Sequence, residues 1–247
     1  MLVSLLRVYA LGMMYAKWML KNKLFYLYLT LFMPLTILVP FYLLVSAPYR
    51  SYVAVGTIVL TIFSNSLVTA SQDIAVDKIM KRIAVIITKP ITSTEYFLGL
   101  TMSNAIQTFP AVIIAILVLI SIGILKIYDV AFLTAGLLAA WYVSTAIGFI
   151  IGILLSNRDY HTVVLVGNIV SFILVFLAPI YYPPSNLPEF MRTIALTLPS
   201  LHVANLIGRS CNVEYGVEIC TSTIYVLALA LILTMVIARK IRLKDIY

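Results

Sequence analysis

Asp77, Lys78, Lys81, Arg82, Lys89 and Glu95 crowd into the charged stretch that separates two long uncharged runs. Their types suit ion pairs and helix capping. At helical spacing Asp77, Lys78, Lys81 and Arg82 share one side, and Val76, Ile79, Met80, Ile83, Ile86 and Ile87 share the other. This pattern predicts one helix lying along a surface. Lys89-Pro90 ends it, because proline lacks an N–H and biases the residue before it away from the helical region. Thr92 and Glu95 then have the spacing of a capping box, with Ile91 before the cap and Tyr96 placed for a hydrophobic staple. Glu95 has two readings: a cap only, or a cap that also pairs with a basic group on another chain.

The elements that position this corner belong to a membrane. The chain has 247 residues, 63% hydrophobic and 11% charged, with mean hydropathy +1.08, which excludes an ordinary soluble domain. Uncharged runs at 24–49, 51–72, 96–125, 130–157, 160–188 and 219–238 each supply the ~20 residues a spanning helix needs. The run 193–208 is short and broken by Pro199, so it is expected to form a re-entrant or interfacial hairpin. With the N-terminus inside, Arg7, Lys17, Lys21, Lys23, Lys78, Lys81, Arg82, Lys89, Arg158, Arg239, Lys240, Arg242 and Lys244 fall on the cytoplasmic side. Only Arg50, Lys126, Arg192 and Arg209 fall outside. That asymmetry predicts six spans in the plasma membrane with both termini cytoplasmic. It also accounts for the net charge of +8 without nucleic acid, since a basic inner face meets anionic lipid.

Residues 1–23 read as an amphipathic elbow helix rather than a cleaved signal, because Arg7 interrupts the apolar stretch. Leu2, Leu5, Leu6, Tyr9, Met13, Ala16 and Leu20 form its apolar face, and Trp18 suits the headgroup level. Spans one and two occupy 24–72, the charged segment 73–95, spans three to five 96–180, an extracellular re-entrant segment 181–216, and span six with a basic tail 217–247. Pro34 and Pro40 are expected to bend the first span. Thr57, Thr61, Asn65, Thr69 and Asp73 recur every fourth residue along the second, a polar ridge that either packs helices or lines a path. Ser103, Asn104, Gln107 and Thr108 precede Pro110 and are expected to satisfy the carbonyls it frees. Asp129 and either Asn157 or Asp159 stand where helix caps belong, as does Asn186 with Glu189, and Gly148 and Gly152 permit close helix contact. Phe172, Phe176, Tyr181 and Tyr182 gather near the outer end. Cys211 and Cys220, in one outer segment, are expected to form a disulfide, with two free thiols as the alternative.

Catalytic chemistry is missing. His161 and His202 fall on opposite sides of the membrane in this topology, the two cysteines lack metal-ligand spacing, and no phosphate-binding loop occurs in the sequence. No catalytic residue and no metal site is therefore expected, and an intramembrane enzyme cannot be assembled from these side chains.

The order of an amphipathic charged helix, Lys89-Pro90, Thr92, Glu95 and Gly99 before a long apolar span resembles the permease subunit of type-2 ABC exporters. Arg82-Ile83-Ala84-Val85 stands where that family carries a Gly-Thr-Leu-Glu-like stretch. Leu187-Pro188, Arg192 and Leu198-Pro199 resemble its extracellular re-entrant helices, with leucine where asparagine is usual. The resemblance implies an all-α integral membrane fold with elbow helix, six spans, cytoplasmic coupling helix and extracellular hairpin. It further implies cytoplasmic ABC ATPase subunits that carry ATP and Mg, and a second permease copy. Contact with the ATPase then falls to Asp77, Lys78, Lys81, Arg82, Lys89, Pro90, Thr92 and Glu95. The translocation pathway falls to Thr61, Asn65, Thr69, Phe172 and Phe176. The implied cargo is an amphipathic drug, peptide or lipid-like molecule, or a lipid-linked glycan. An importer permease is the nearer rival, although its Glu-Ala-Ala-x-x-x-Gly loop is lacking, and a non-transporting scaffold is the rival of a different class.

Overall fold

The computed structural model describes residues 2–21 and 23–240, and every regular element among them is helical. The side chains of Leu2 and Trp18 and the tail from residue 241 lie outside the described residues. Helix α1 spans Leu2–Lys21, followed by α2 (Lys23–Leu27), a π turn (Tyr28–Phe32) and α3 (Met33–Leu44). The π turn directly precedes Pro34, so the distortion expected from that proline falls one turn upstream of it. Then come α4 (Arg50–Ile79), α5 (Arg82–Ile87), α6 (Ser93–Ser121), α7 (Val130–Leu154) and α8 (Tyr160–Phe176). The chain closes with α9 (Glu189–Ala195), α10 (Pro199–Ser210) and α11 (Ile219–Lys240).

Four helices are long and apolar enough to cross a membrane, and a fifth if α9 and α10, bent by 85° at their break, count as one. The run 23–44 and α8 are helical but shorter in their unbroken apolar stretches. Leu198 caps α10 and Pro199 opens it, the break the sequence predicted. The Asn186–Glu189 capping box does not form: Asn186 ends a 3₁₀ turn and Pro188 occupies the cap of α9 without a side-chain bond.

Helix α4 is the axis of the bundle. In its most apolar window 94% is buried, against 17% for α11. Helices α6, α7, α8 and α10 pack around α4, and the Gly148 Cα lies so close to it that an added Cβ would meet the Leu67 carbonyl oxygen at 2.2 Å. Backbone contact this close permits dense packing where no hydrophobic force separates protein from lipid. Two apolar cores result. One joins Ile58, Phe63, Val143, Leu201 and Tyr215 toward the α9–α10 hairpin, and the other joins Leu11, Ile74, Ile86, Tyr96 and Phe149 toward α5. Exposed Leu227, Leu231, Ile232 and Met235 on α11 form an apolar surface too continuous for water.

Candidate functional site

The α4–α6 connection is two short pieces rather than one surface helix. Lys81 adopts φ 54° and breaks the chain between α4 and α5. A left-handed non-glycine residue is uncommon, and here it turns the next helix away from the axis of α4. Helix α5 stops at Ile87 and the chain turns through Lys89-Pro90. The capping box then forms as predicted: the Thr92 Oγ1 accepts from the Glu95 N–H at 3.2 Å, and the Thr92 N–H donates to Glu95 Oε2 at 2.8 Å. Ile91 and Tyr96 meet in the same apolar core.

Asp77 departs most from expectation. It was placed on the outward charged face, yet it is fully buried, because the break at Lys81 and the packing of α1 enclose it. Tyr15 and Tyr96 both donate their phenol protons to Asp77 Oδ2, the Tyr96 bond measuring 2.7 Å. Arg82 Nη1 lies 3.4 Å from Oδ1. Three helices and α5 are thus tied to one carboxylate. A buried charge needs such partners, since removing one leaves an uncompensated ion.

Helix α1 is fastened a second time. Arg7 Nη1 lies 3.7 Å from Glu95 Oε1 and also donates to the Pro90 carbonyl. Glu95 thus caps α6 and also faces a basic group of its own chain. On α1, Leu5, Leu6, Tyr9 and Leu20 of the expected apolar face are exposed, whereas Leu11, Tyr15 and Ala16 are buried, and α1 packs on α6. At Gly99 an added Cβ would meet the Leu11 Cβ at 2.6 Å, so the glycine before the third span sets how closely α1 approaches. Lys78 turns the other way, donating to the Ser156 carbonyl at 2.6 Å and to Asn157 Oδ1 at 3.0 Å. Lys81, Lys89 and Pro90 remain exposed. Sequence reasoning missed Arg7 and Tyr15. A position on α1 does not say which acid on a distant helix its side chain meets.

The ridge on α4 has mixed roles. Thr57 and Thr61 return their hydroxyls to the carbonyls of Val53 and Thr57, each at 2.8 Å. Asn65 is buried and Thr69 half-buried. The polar centre at mid-bundle is instead Asn104 of α6. Its amide donates to the Ser66 carbonyl at 3.0 Å, and its oxygen accepts from Trp141 at 3.2 Å and from Thr108 and Thr145 at 3.3 Å. The group expected to service Pro110 therefore joins α4, α6 and α7. Phe172 and Phe176 are about half-exposed, their ring centroids 5.7 Å apart. Only Phe176 of the predicted pathway residues lines a cavity of about 440 Å³ at the α9–α10 end of the bundle, with Val45, Tyr49, Ala178, Tyr181 and Tyr182. Cys211 and Cys220 are both free, Cys211 buried and Cys220 exposed. Cys211 Sγ instead lies 3.2 Å from the Ser210 hydroxyl, so the expected disulfide is absent.

Among the described residues no cluster of His, Cys, Asp or Glu has the makings of a metal site. Apolar helices around a buried axis, with a charged corner between two of them, define a multi-pass membrane protein whose polar groups hold helices together. The ABC-2 family transporter protein model matches residues 45–239, and the chain belongs to that family. Members are membrane components of ABC transporters, generally not catalytic themselves, and the family implies association with an ABC ATPase. No curated protein matches the chain.

Proposed function

We propose that this chain is the membrane-spanning subunit of an ATP-driven exporter in the plasma membrane, paired with a second permease copy and with cytoplasmic ATPase subunits that bind ATP and Mg. The reading takes residues 23–44, α4, α6, α7, α8 and α11 as six spans, with both termini cytoplasmic and α9–α10 as an outer hairpin. One observation carries it. Lys81 and the Lys89-Pro90 tip are exposed, while the flanks of this corner are bound internally through Asp77, Lys78 and Glu95. A partner pushing on such a corner moves α1, α4 and α6 together rather than deforming a loop.

Roles divide along the same line. Lys81 and the Lys89-Pro90 tip meet the ATPase, whereas Asp77, Lys78, Arg82, Thr92 and Glu95 hold the corner's shape. An amphipathic cargo with apolar or aromatic parts suits the outer cavity, whose volume of about 440 Å³ falls in the ~300–1,000 Å³ range of ligand sites and whose walls are largely aromatic. Export as the direction rests on the resemblance of the Lys89-Pro90 to Gly99 stretch and of the hairpin.

Cross-linking from cysteines placed at Lys81 and Lys89 in the assembled complex tests the coupling role. Both positions should capture an ATPase subunit, and Lys81→Glu should weaken recruitment more at low salt than at high. If the corner lies farther than about 8 Å, a Debye length, from every partner atom, the assignment is wrong. Absence of stimulated ATP hydrolysis in the reconstituted complex would favour the scaffold.

A further inference from the structure

A polar cavity of about 260 Å³ opens where α10 ends and α11 begins, and its walls include Asn205, Arg209, Glu214, Tyr215, Glu218 and Ile219. We propose that it binds a phosphoethanolamine group, a primary ammonium joined to a phosphate, carried by an aminophospholipid or by its soluble headgroup. Arg209 takes the phosphate, and Glu214, Glu218 and the Asn205 side-chain oxygen take the ammonium. None of these side chains belongs to the coupling corner or to the aromatic cavity at Tyr181.

The loop that walls the cavity is fastened from several directions. The Val213 N–H donates to the Gly208 carbonyl at 2.8 Å, and the Tyr52 and Tyr215 phenols donate to the carbonyls of Glu214 and Ile180, both at 2.7 Å. Asn205 is the group that points to a ligand, being only 3% exposed. Its Nδ2 donates to the Val217 carbonyl and the Ser222 hydroxyl, both at 2.9 Å, and because a carbonyl only accepts, these bonds fix which end of the amide is nitrogen. Oδ1 accepts no hydrogen bond among the described residues, which is costly for a buried acceptor unless an occupant of the cavity supplies the donor. Arg209 makes no side-chain hydrogen bond or ion pair among the described residues, although two carboxylates line the same space.

This set of donors and acceptors selects the ligand. A primary ammonium carries three N–H donors and meets three acceptors here, two carboxylates and Oδ1, while the guanidinium fork matches a phosphate. A bare cation would share the cavity with Arg209, and a bare anion would share it with Glu214 and Glu218. A volume of about 260 Å³, under the ~300–1,000 Å³ of whole-ligand pockets, suits a headgroup rather than an entire lipid. Ile224, Leu227 and Leu231 are exposed along α11 below its Ile219 end and give an attached acyl chain an apolar surface to follow.

The test uses the purified full chain in detergent, read by native mass spectrometry with phosphatidylethanolamine, phosphatidylcholine, phosphatidylglycerol and glycerophosphoethanolamine as separate probes. Phosphatidylethanolamine should be retained over phosphatidylcholine, whose quaternary ammonium has no N–H to donate, and over phosphatidylglycerol, which has no ammonium. Arg209→Gln and Glu218→Gln should each lower its retention about tenfold, as expected for one charge-assisted hydrogen bond, at an unchanged melting temperature. Both side chains are exposed and hold no other element in place, so folding is not at risk in either variant. Retention of glycerophosphoethanolamine as well assigns the site to the soluble headgroup, and retention of the lipid alone assigns it to the membrane. Equal retention of the three lipids, full retention of phosphatidylethanolamine in both variants, or retention of neither ethanolamine probe overturns the proposal. The readout needs neither the ATPase nor transport, so it can fail while the transporter reading stands.

Discussion

At its Ile79 end α4 is held around a buried carboxylate, whereas beyond its Arg50 end phenols and an imidazole make neutral bonds to carbonyls and a hydroxyl. Asp77 collects two phenols and Arg82, and Arg7 spans Glu95 and the Pro90 carbonyl. Toward the hairpin, the Tyr52 phenol donates to the Glu214 carbonyl and the Tyr215 phenol to that of Ile180, both at 2.7 Å. His202 sits between the Leu196 carbonyl at 2.8 Å and the Ser222 hydroxyl at 3.2 Å, with Tyr225 stacked on its ring. Because a carbonyl only accepts, Nε2 carries the proton and Nδ1 accepts from Ser222. Neutral bonds of this kind are each worth about 1 kcal/mol and can be exchanged one at a time. Several helices centred on one buried carboxylate fail together or not at all. The first arrangement suits a region that rearranges, and the second suits a region that transmits force as a body.

The sharpest way to break this contrast is at Asp77. Asp77→Ala leaves two buried phenols and Arg82 without their acceptor and should cost about 3–5 kcal/mol, seen as a collapse in yield or melting temperature of the purified chain. A neutral outcome would mean the charged hub holds nothing. Asn104→Leu comes next. It removes three interhelical contacts at mid-bundle, to Ser66, Trp141 and Thr145, each about 0.6–1.7 kcal/mol in membranes, and should lower thermal stability more than Asn65→Leu does. The reverse order would return the ridge on α4 to the structural role that Asn104 now holds.

At the neutral end, His202→Phe keeps the stacking on Tyr225 but loses both hydrogen bonds, and should cost about 1–3 kcal/mol. A loss as large as that of Asp77→Ala would erase the difference between the ends. Glu95→Gln preserves much of the cap while removing the charge opposite Arg7, so a fall of about 1 kcal/mol or less is expected. Its effect on coupled ATP hydrolysis should match that of Arg7→Gln, because the two act on one contact. Divergent effects would show Glu95 in use by another chain.

The smallest effect belongs to Asp159. The Thr162 hydroxyl, and then its backbone N–H, hold the Asp159 carboxyl below its ordinary value. A folded-state pKa below the unfolded one gives stability that is present above the unfolded value and lost as pH falls through the folded one. Melting temperature should therefore drop slightly on acidification below the usual carboxylate range, and Asp159→Asn should flatten that dependence.

Local chemistry was legible in the residues themselves. Proline at Pro90 and Pro199, the Thr92–Glu95 box, and the Asp129 and Asp159 caps act within four residues of chain, so the sequence specifies them directly. Composition alone required a membrane, since runs of ~20 apolar residues have no soluble alternative in a chain this size. The Asn186–Glu189 box failed although its spacing was right, because prolines at 183, 184 and 188 impose their own backbone there. What only the tertiary structure decided is which charges face inward. Periodicity assigns faces to a continuous helix, and one left-handed residue, Lys81, ends that continuity. Arg7 meets Glu95 and Tyr15 meets Asp77 across 88 and 62 residues of chain, because α1 docks on α6 at a glycine. Contacts at such separations depend on how whole helices pack, a property that no local pattern encodes.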